Sequence, residues 1–317
     1  MSTLTFSTLR QQVMQLYRAQ EYARVLELVE REQGQFPGYA YRLAYWRLSM
    51  HVLLGKQTEA LRIFRETLAR GDWFAPHVLE HDPDLDPLRP LTDFQEMVEI
   101  CRQRLAQLRA SGVQPELLIQ GSEGSVVSPP VLIAMHGNAG NASTTLENWS
   151  GIAAYNWLLA APQSSQIVGP GEYVWDNREL STSEIREHLA TLTFQYGIDA
   201  ERVILGGFSM GGGQAIWMAL HQLVKTPGFV VLGPYLRANE LEALSTLLAT
   251  QKPASMRGYI LIGDEDSECL EISRKVVALL HAHELPCELE LLPGQDHSYP
   301  ADFVKLVTKG LTFVEQR

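Results

Sequence analysis

The stretch Val203-Ile204-Leu205-Gly206-Gly207-Phe208-Ser209-Met210-Gly211-Gly212-Gly213 runs an apolar strand through Gly-x-Ser-x-Gly into a helix that begins with small residues. A lone Gly-x-Ser-x-Gly occurs by chance in glycine-rich chains, so its flanks decide its meaning. Here the turn is sharp enough to strain its central residue. Gly207 and Gly211 stand where a β-carbon would collide with backbone, and Ser209 is lifted above the sheet edge. The start of the following helix favours negative charge nearby.

A neutral serine is a weak nucleophile and needs a base to take its proton as it attacks. Among nine histidines, His297 is the best candidate, because it sits in the polar loop Leu292-Pro293-Gly294-Gln295-Asp296-His297-Ser298 between the last predicted strand and the last helix. His136 ends an earlier strand, and His281 and His283, two apart on a helix, point to different faces. These three read as surface or structural residues. The base must be held in one tautomer by a carboxylate, and the loop Ile262-Gly263-Asp264-Glu265-Asp266-Ser267 offers Asp264, Glu265 and Asp266. Attack on an ester or thioester carbonyl places charge on its oxygen, which backbone N–H groups must await. One such group belongs to Met210, and the loop His136-Gly137-Asn138-Ala139-Gly140-Asn141 offers another.

These residues need a sheet to present them. After Ser111 short apolar runs alternate with helical patterns, the signature of βα units around a mainly parallel sheet. Strands are predicted over residues 116–119, 131–136, 155–161, 202–208, 229–233, 259–263 and 288–292, with helices over 144–154, 183–196, 210–223, 239–249, 270–283 and 301–314. From residue 9 to about 110 the pattern is helical throughout, with apolar residues three and four apart. The expected division is an all-α domain over 1–110 and an α/β domain over 111–317.

The combined motifs resemble those of the α/β-hydrolase superfamily, nearest to its carboxylesterase, phospholipase and acyl-protein thioesterase group. The likeness covers residues 116–317, and Ser209, Asp266 and His297 follow the chain order of that fold's triad. It implies a mainly parallel sheet flanked by helices, with Ser209 as nucleophile and His297 as base. The Gly-x-x-Asp pattern frequent there selects Asp266 as the acid, with Asp264 second. The group's His-Gly-x loop carries the second oxyanion donor over to the backbone N–H of Asn138. Met210 stands where the group often has Gln, and Asn138 where an apolar residue is common. The connection 164–177 is expected to wall the pocket, with Trp175 as substrate contact, and no insertion long enough for a lid lies between Gly233 and Tyr259.

In the first half, Gln20-Glu21-Tyr22-Ala23-Arg24-Val25-Leu26 overlays Gly55-Lys56-Gln57-Thr58-Glu59-Ala60-Leu61, an offset of 35 residues (55 less 20). This resembles a degenerate tetratricopeptide array, whose period is about 34. Pro37 falls near the end of the first unit, Ala60 and Phe64 match packing positions of the second, and the helices are expected to close over the pocket or to dock a protein partner. Asp82-Pro83-Asp84-Leu85-Asp86-Pro87 begins like a calcium loop, but Pro87 and Asp93 stand where that loop needs Gly and Glu. A rigid, solvated connector is expected there.

Composition narrows the partners. With 26 Lys plus Arg against 37 Asp plus Glu, the formal net charge is -11, which disfavours nucleic acid and anionic membranes. No apolar run is long enough for a membrane helix, and the opening Met1-Ser2-Thr3-Leu4-Thr5-Phe6 lacks the pattern of a secretory leader, so a cytoplasmic location is expected. Cys101, Cys269 and Cys287 show no CxxC spacing and read as buried structural thiols. The leading expectation is a serine hydrolase acting on a small-molecule ester or acyl substrate, with no metal or organic cofactor. The alternatives are a peptidase of the prolyl-oligopeptidase kind and a non-catalytic adaptor.

Overall fold

Strands whose residues are apolar at every position must be covered on both faces, and that requirement organises the C-terminal part of the chain. The computed structural model describes residues 4–121, 128–251, 253 and 255–316. It divides into two units. The first comprises Met1–Gly112 with Ile167–Pro170, and the second Val113–Gln166 with Gly171–Arg317.

Among the described residues the first unit holds six α-helices: α1 (Phe6–Arg18), α2 (Tyr22–Glu32), α3 (Ala40–Leu53), α4 (Gln57–Ala69), α5 (Pro76–His81) and α6 (Thr92–Ser111). The Thr5 hydroxyl caps α1 by accepting from Thr8 N. Two apolar clusters form, one around Leu9, Val25, Val29 and Leu43, the other around Leu48, Phe64, Leu79, Leu85 and Phe94. Starts of α1 and α3 lie 34 residues apart (40 less 6), and those of α2 and α4 lie 35 apart (57 less 22). The acidic run at 82–87 is less solvated than expected. Leu85 is fully buried, the Tyr45 hydroxyl donates to Asp82 Oδ2 at 2.5 Å, and the Tyr17 hydroxyl donates to Asp84 Oδ2 at 2.9 Å. The short strand β4 (Ile167–Gly169) belongs to this unit, and Arg109 Nε donates to Ile167 O at 3.2 Å.

The second unit is built on β1 (Leu117–Gln120), β2 (Val131–Met135), β3 (Leu158–Pro162), β6 (Val203–Phe208), β7 (Gly228–Leu232), β8 (Arg257–Gly263) and β9 (Cys287–Leu292), in sheet order β1-β3-β2-β6-β7-β8-β9. A two-residue strand, β5 (Glu172–Tyr173), precedes Val174. Only β1 runs antiparallel to its neighbour within the seven-stranded sheet. Residue parity sorts the two faces. Ile133, Leu205, Val231 and Ile260 face the side covered by α8 (Arg178–Tyr196), α9 (Met210–Leu220), α10 (Ala238–Thr250) and α11 (Ser267–Ala282). Leu132, Ile204, Val230 and Leu261 face α7 (Ala142–Trp149) and α12 (Phe303–Glu315). Each fully buried aliphatic side chain is worth about 1.5–3 kcal/mol, and β2, β3 and β7 are buried at every position.

The expected strand over 155–161 begins later, at Leu158. Asn156 takes a left-handed conformation, φ 62°, and closes a 3-10 turn over Ser150–Tyr155. Among the described residues, no helix is long and apolar enough to cross a membrane.

Candidate active site

Asn138, Ser209, Met210, Asp266 and His297 all lie beyond the C-terminal end of a parallel strand, where open α/β sheets present their clefts. Ser209 follows β6 directly. Its φ of 54° and ψ of -121° lie outside the ordinary range for an L-residue. Three hydrogen bonds hold it there: its own N–H donates to Leu232 O at 3.0 Å, and its carbonyl accepts from Gly213 N at 3.0 Å and Tyr235 N at 2.9 Å. The flanking glycines are obligatory on steric grounds. A β-carbon on Gly207 would sit 2.5 Å from the Gly211 carbonyl carbon, and one on Gly211 would overlap the carbonyl oxygens of Met135 and His136.

The loop after β9 brings His297 to this turn. The Ser209 hydroxyl donates to His297 Nε2 at 2.9 Å, and His297 Nδ1–H donates to Asp266 Oδ2 at 2.6 Å. Phe208 stacks against the imidazole with ring centroids 4.6 Å apart. The Asp266 side chain is 8% exposed and that of His297 37%, so the pair is covered on the carboxylate side and open on the imidazole side. Asp264, the second candidate, is spoken for elsewhere: its exposed carboxylate accepts from Gly294 N at 2.7 Å and pins the loop that carries His297.

Cys269, one turn into α11, is the third member of a cluster whose donor atoms, with those of Asp266 and His297, all lie within 4.8 Å of one another. Burial pushes its thiol up to about 12, and Asp266 adds to that shift. Asp266 and His297 of this cluster are already hydrogen-bonded to each other. Cys101 and Cys287 are likewise free and buried.

His136, Gly137 and Asn138 follow β2. A β-carbon on Gly137 would come within 3.4 Å of Ser209 Cβ, so this turn borders the serine, and Asn138 is exposed beside it. His136 is 1% exposed. Burial drives its imidazole down to about 4, with the Gly137 carbonyl opposing, so it is neutral at pH 7. Nδ1–H then donates to Gly137 O at 2.9 Å, and Nε2 accepts from Ser164 N at 3.4 Å. His136 reads in the sequence as a residue at a strand end with no sign of this role, because Ser164 and Trp175 lie 28 and 39 residues away.

Trp175 is a correction. Expected as a substrate contact, it is 1% exposed, its indole N–H donates to His136 O at 3.0 Å, and its ring packs on the His136 imidazole with centroids 4.7 Å apart. Its backbone N–H donates to Met210 Sδ at 3.2 Å. The wall segment turns this aromatic inward, and its neighbour Asp176 pairs at the surface with Arg237.

The sheet, its flanking helices and a serine turn after β6 define an α/β-hydrolase fold. Residues 5–109, about one third of the chain, match the family described as A/B hydrolase-like, N-terminal domain. The helical region thus matches a family defined by its association with this fold. A crystal structure of an uncharacterized protein from Bacillus cereus ATCC 10987 is similar over 98% of this chain and 99% of that one, at 25% identity and a TM-score of 0.55. Esterase PE8 is similar over 64% of this chain and 100% of its own, at 18% identity and a TM-score of 0.55. No curated protein sequence matches.

Proposed function

We propose that this protein is a serine hydrolase that cleaves a carboxylic ester or thioester through an acyl-enzyme. The observation that carries this reading is the unbroken relay from Ser209 Oγ to His297 Nε2, and from His297 Nδ1 to Asp266 Oδ2, starting at a serine held with positive φ. Ser209 attacks the acyl carbonyl and passes its proton to His297, while Asp266 holds the imidazole in the required tautomer and stabilises the imidazolium. The negative charge that forms on the carbonyl oxygen is met by the backbone N–H groups of Met210 and Asn138. His297 then protonates the departing alcohol or thiol. Water attacks the acyl-serine with His297 again as base, and no metal or organic cofactor enters these steps.

The same fold in esterase PE8, named for its activity, agrees with an ester substrate. The intact relay weighs against a purely adaptor role. The test is hydrolysis of p-nitrophenyl esters from acetyl to palmitoyl, beside Ser209→Ala and Asp266→Asn. Turnover by the wild type that vanishes in Ser209→Ala and falls about 10⁴-fold in Asp266→Asn supports the proposal. Equal activity in all three proteins would refute it.

A further inference from the structure

Trp175 bonds beside both groups assigned to the oxyanion, to the carbonyl two residues before Asn138 and to the side chain of Met210. Its indole N–H donates to His136 O, the carbonyl that leads into Gly137 and Asn138, and its backbone N–H donates to the side chain of Met210. The chain around it is tied to the same turn. Tyr173 N donates to Gly140 O at 3.0 Å, and Asn141 Nδ2 donates to Gly171 O at 3.0 Å. Gly171, Tyr173 and Trp175 therefore lie at alternate positions along a segment laced to the 136–141 turn. On the turn's other side, Gln163 Oε1 accepts from Ala142 N at 2.9 Å, and the neutral His136 ring accepts from Ser164 N. The His136 carbonyl is confined between the Gly211 backbone and the Trp175 indole.

We propose that Trp175 is a positioning residue that holds the two oxyanion donors, Asn138 N–H and Met210 N–H, in one alignment. This rests on the hydrolase reading above and deepens it. Oxyanion stabilisation depends on donors that are already aimed where charge will develop. One residue bonded beside both, through its indole N–H on one side and its backbone N–H on the other, limits the freedom of either to rotate away. The assignment also explains Met210, where similar hydrolases often carry Gln. Either side chain offers an acceptor to Trp175 N–H, whereas leucine would offer none.

Trp175→Phe keeps the ring and deletes the indole N–H. On the p-nitrophenyl ester that the wild type turns over fastest, kcat is expected to fall about 10- to 100-fold, less than the 10²–10³ typical of deleting a donor outright. KM should stay within about twofold on this account of transition-state selectivity. Affinity for a trifluoromethyl ketone of matching chain length, which forms a tetrahedral oxyanion on the serine, should fall in parallel, and that for the plain methyl ketone should not. Met210→Leu should reproduce part of the loss and Met210→Gln should recover it. This pair decides the matter if Trp175→Phe does not fold. A raised KM with unchanged kcat would make Trp175 a substrate contact and overturn the proposal, as would equal losses in the two Met210 variants. Wild-type turnover that depends on Ser209 but ignores Trp175→Phe removes this inference alone. Absence of wild-type turnover and of phosphonate labelling removes the hydrolase reading and this one together.

Discussion

Ser209 occupies a backbone conformation that costs about 1–3 kcal/mol on its own, and the structure meets that cost with three backbone hydrogen bonds around a turn that tolerates no β-carbon at Gly207 or Gly211. Asp266, on His297, and Asp264, on Gly294 N, make a contrast that kinetics can read. Asp266→Asn should lower kcat about 10⁴-fold, while Asp264→Asn, whose amide oxygen still accepts from Gly294 N, should leave it within a few-fold of wild type. A reversal of that order in steady-state assays would move the acid to Asp264. His136 carries the clearest pH signature. Unfolded, it takes up a proton below about pH 6.5; folded, it does so only near pH 4. The stability contributed by keeping it neutral is therefore complete above about pH 6.5 and is lost as the pH falls toward 4, an effect of about 3 kcal/mol. Imidazole NMR should show His136 unprotonated at pH 5, and a midpoint near 6.5 would contradict the burial argument. Ser209 and His297 were legible in the sequence because each sits in a short local pattern at a strand end. Asp266 needed the spacing shared with similar hydrolases to separate it from Asp264. Trp175 was misread because its direction depends on hydrogen bonds between 171–175 and 136–141, which no local pattern encodes.

At the scale of elements, the strands of the main sheet were readable because a run buried on both faces is apolar at every position, and each expected strand has a counterpart in the sheet. Ends were less legible. Asn156 delays β3, and the strands β4 and β5, three and two residues long, carry too few residues for a periodicity to show. Helix placement around the site relies on a buried ion pair that apolar patterning does not reveal. Arg178 at the start of α8 donates from Nε to Glu240 Oε1 at 2.8 Å and from Nη1 to Gln214 Oε1 at 2.7 Å, which ties α8, α9 and α10 together. Burial raises the Glu240 carboxyl, but Arg178 and the Arg237 N–H outweigh it and hold the group below the usual carboxylate range. Glu240→Ala leaves a buried guanidinium unpaired and should cost about 3–5 kcal/mol, measured by urea unfolding. A loss under 1 kcal/mol would show that water reaches Arg178.

Across the whole molecule, two units share one chain, and the segment Ile167–Pro170, which lies in sequence between β3 and the Trp175 wall, packs with the helices of the first. A fragment starting at Val113 would lack α6, whose Arg109 binds the Ile167 carbonyl. Its kcat on p-nitrophenyl esters should fall at least several-fold relative to the full chain, and unchanged kinetics would show that the segment needs no helical support. Six α-helices are described in the first unit, whose helical character was legible from the apolar spacing of three and four. What those helices bind was not, since a docking face is set by exposed side chains that leave no periodic trace. The most direct test of the central claim is labelling of the full chain with a fluorophosphonate followed by peptide mass spectrometry. A single adduct on Ser209, absent from His297→Ala, is the predicted result. An unlabelled wild type, or labelling of Ser209 that His297→Ala leaves undiminished, would contradict it.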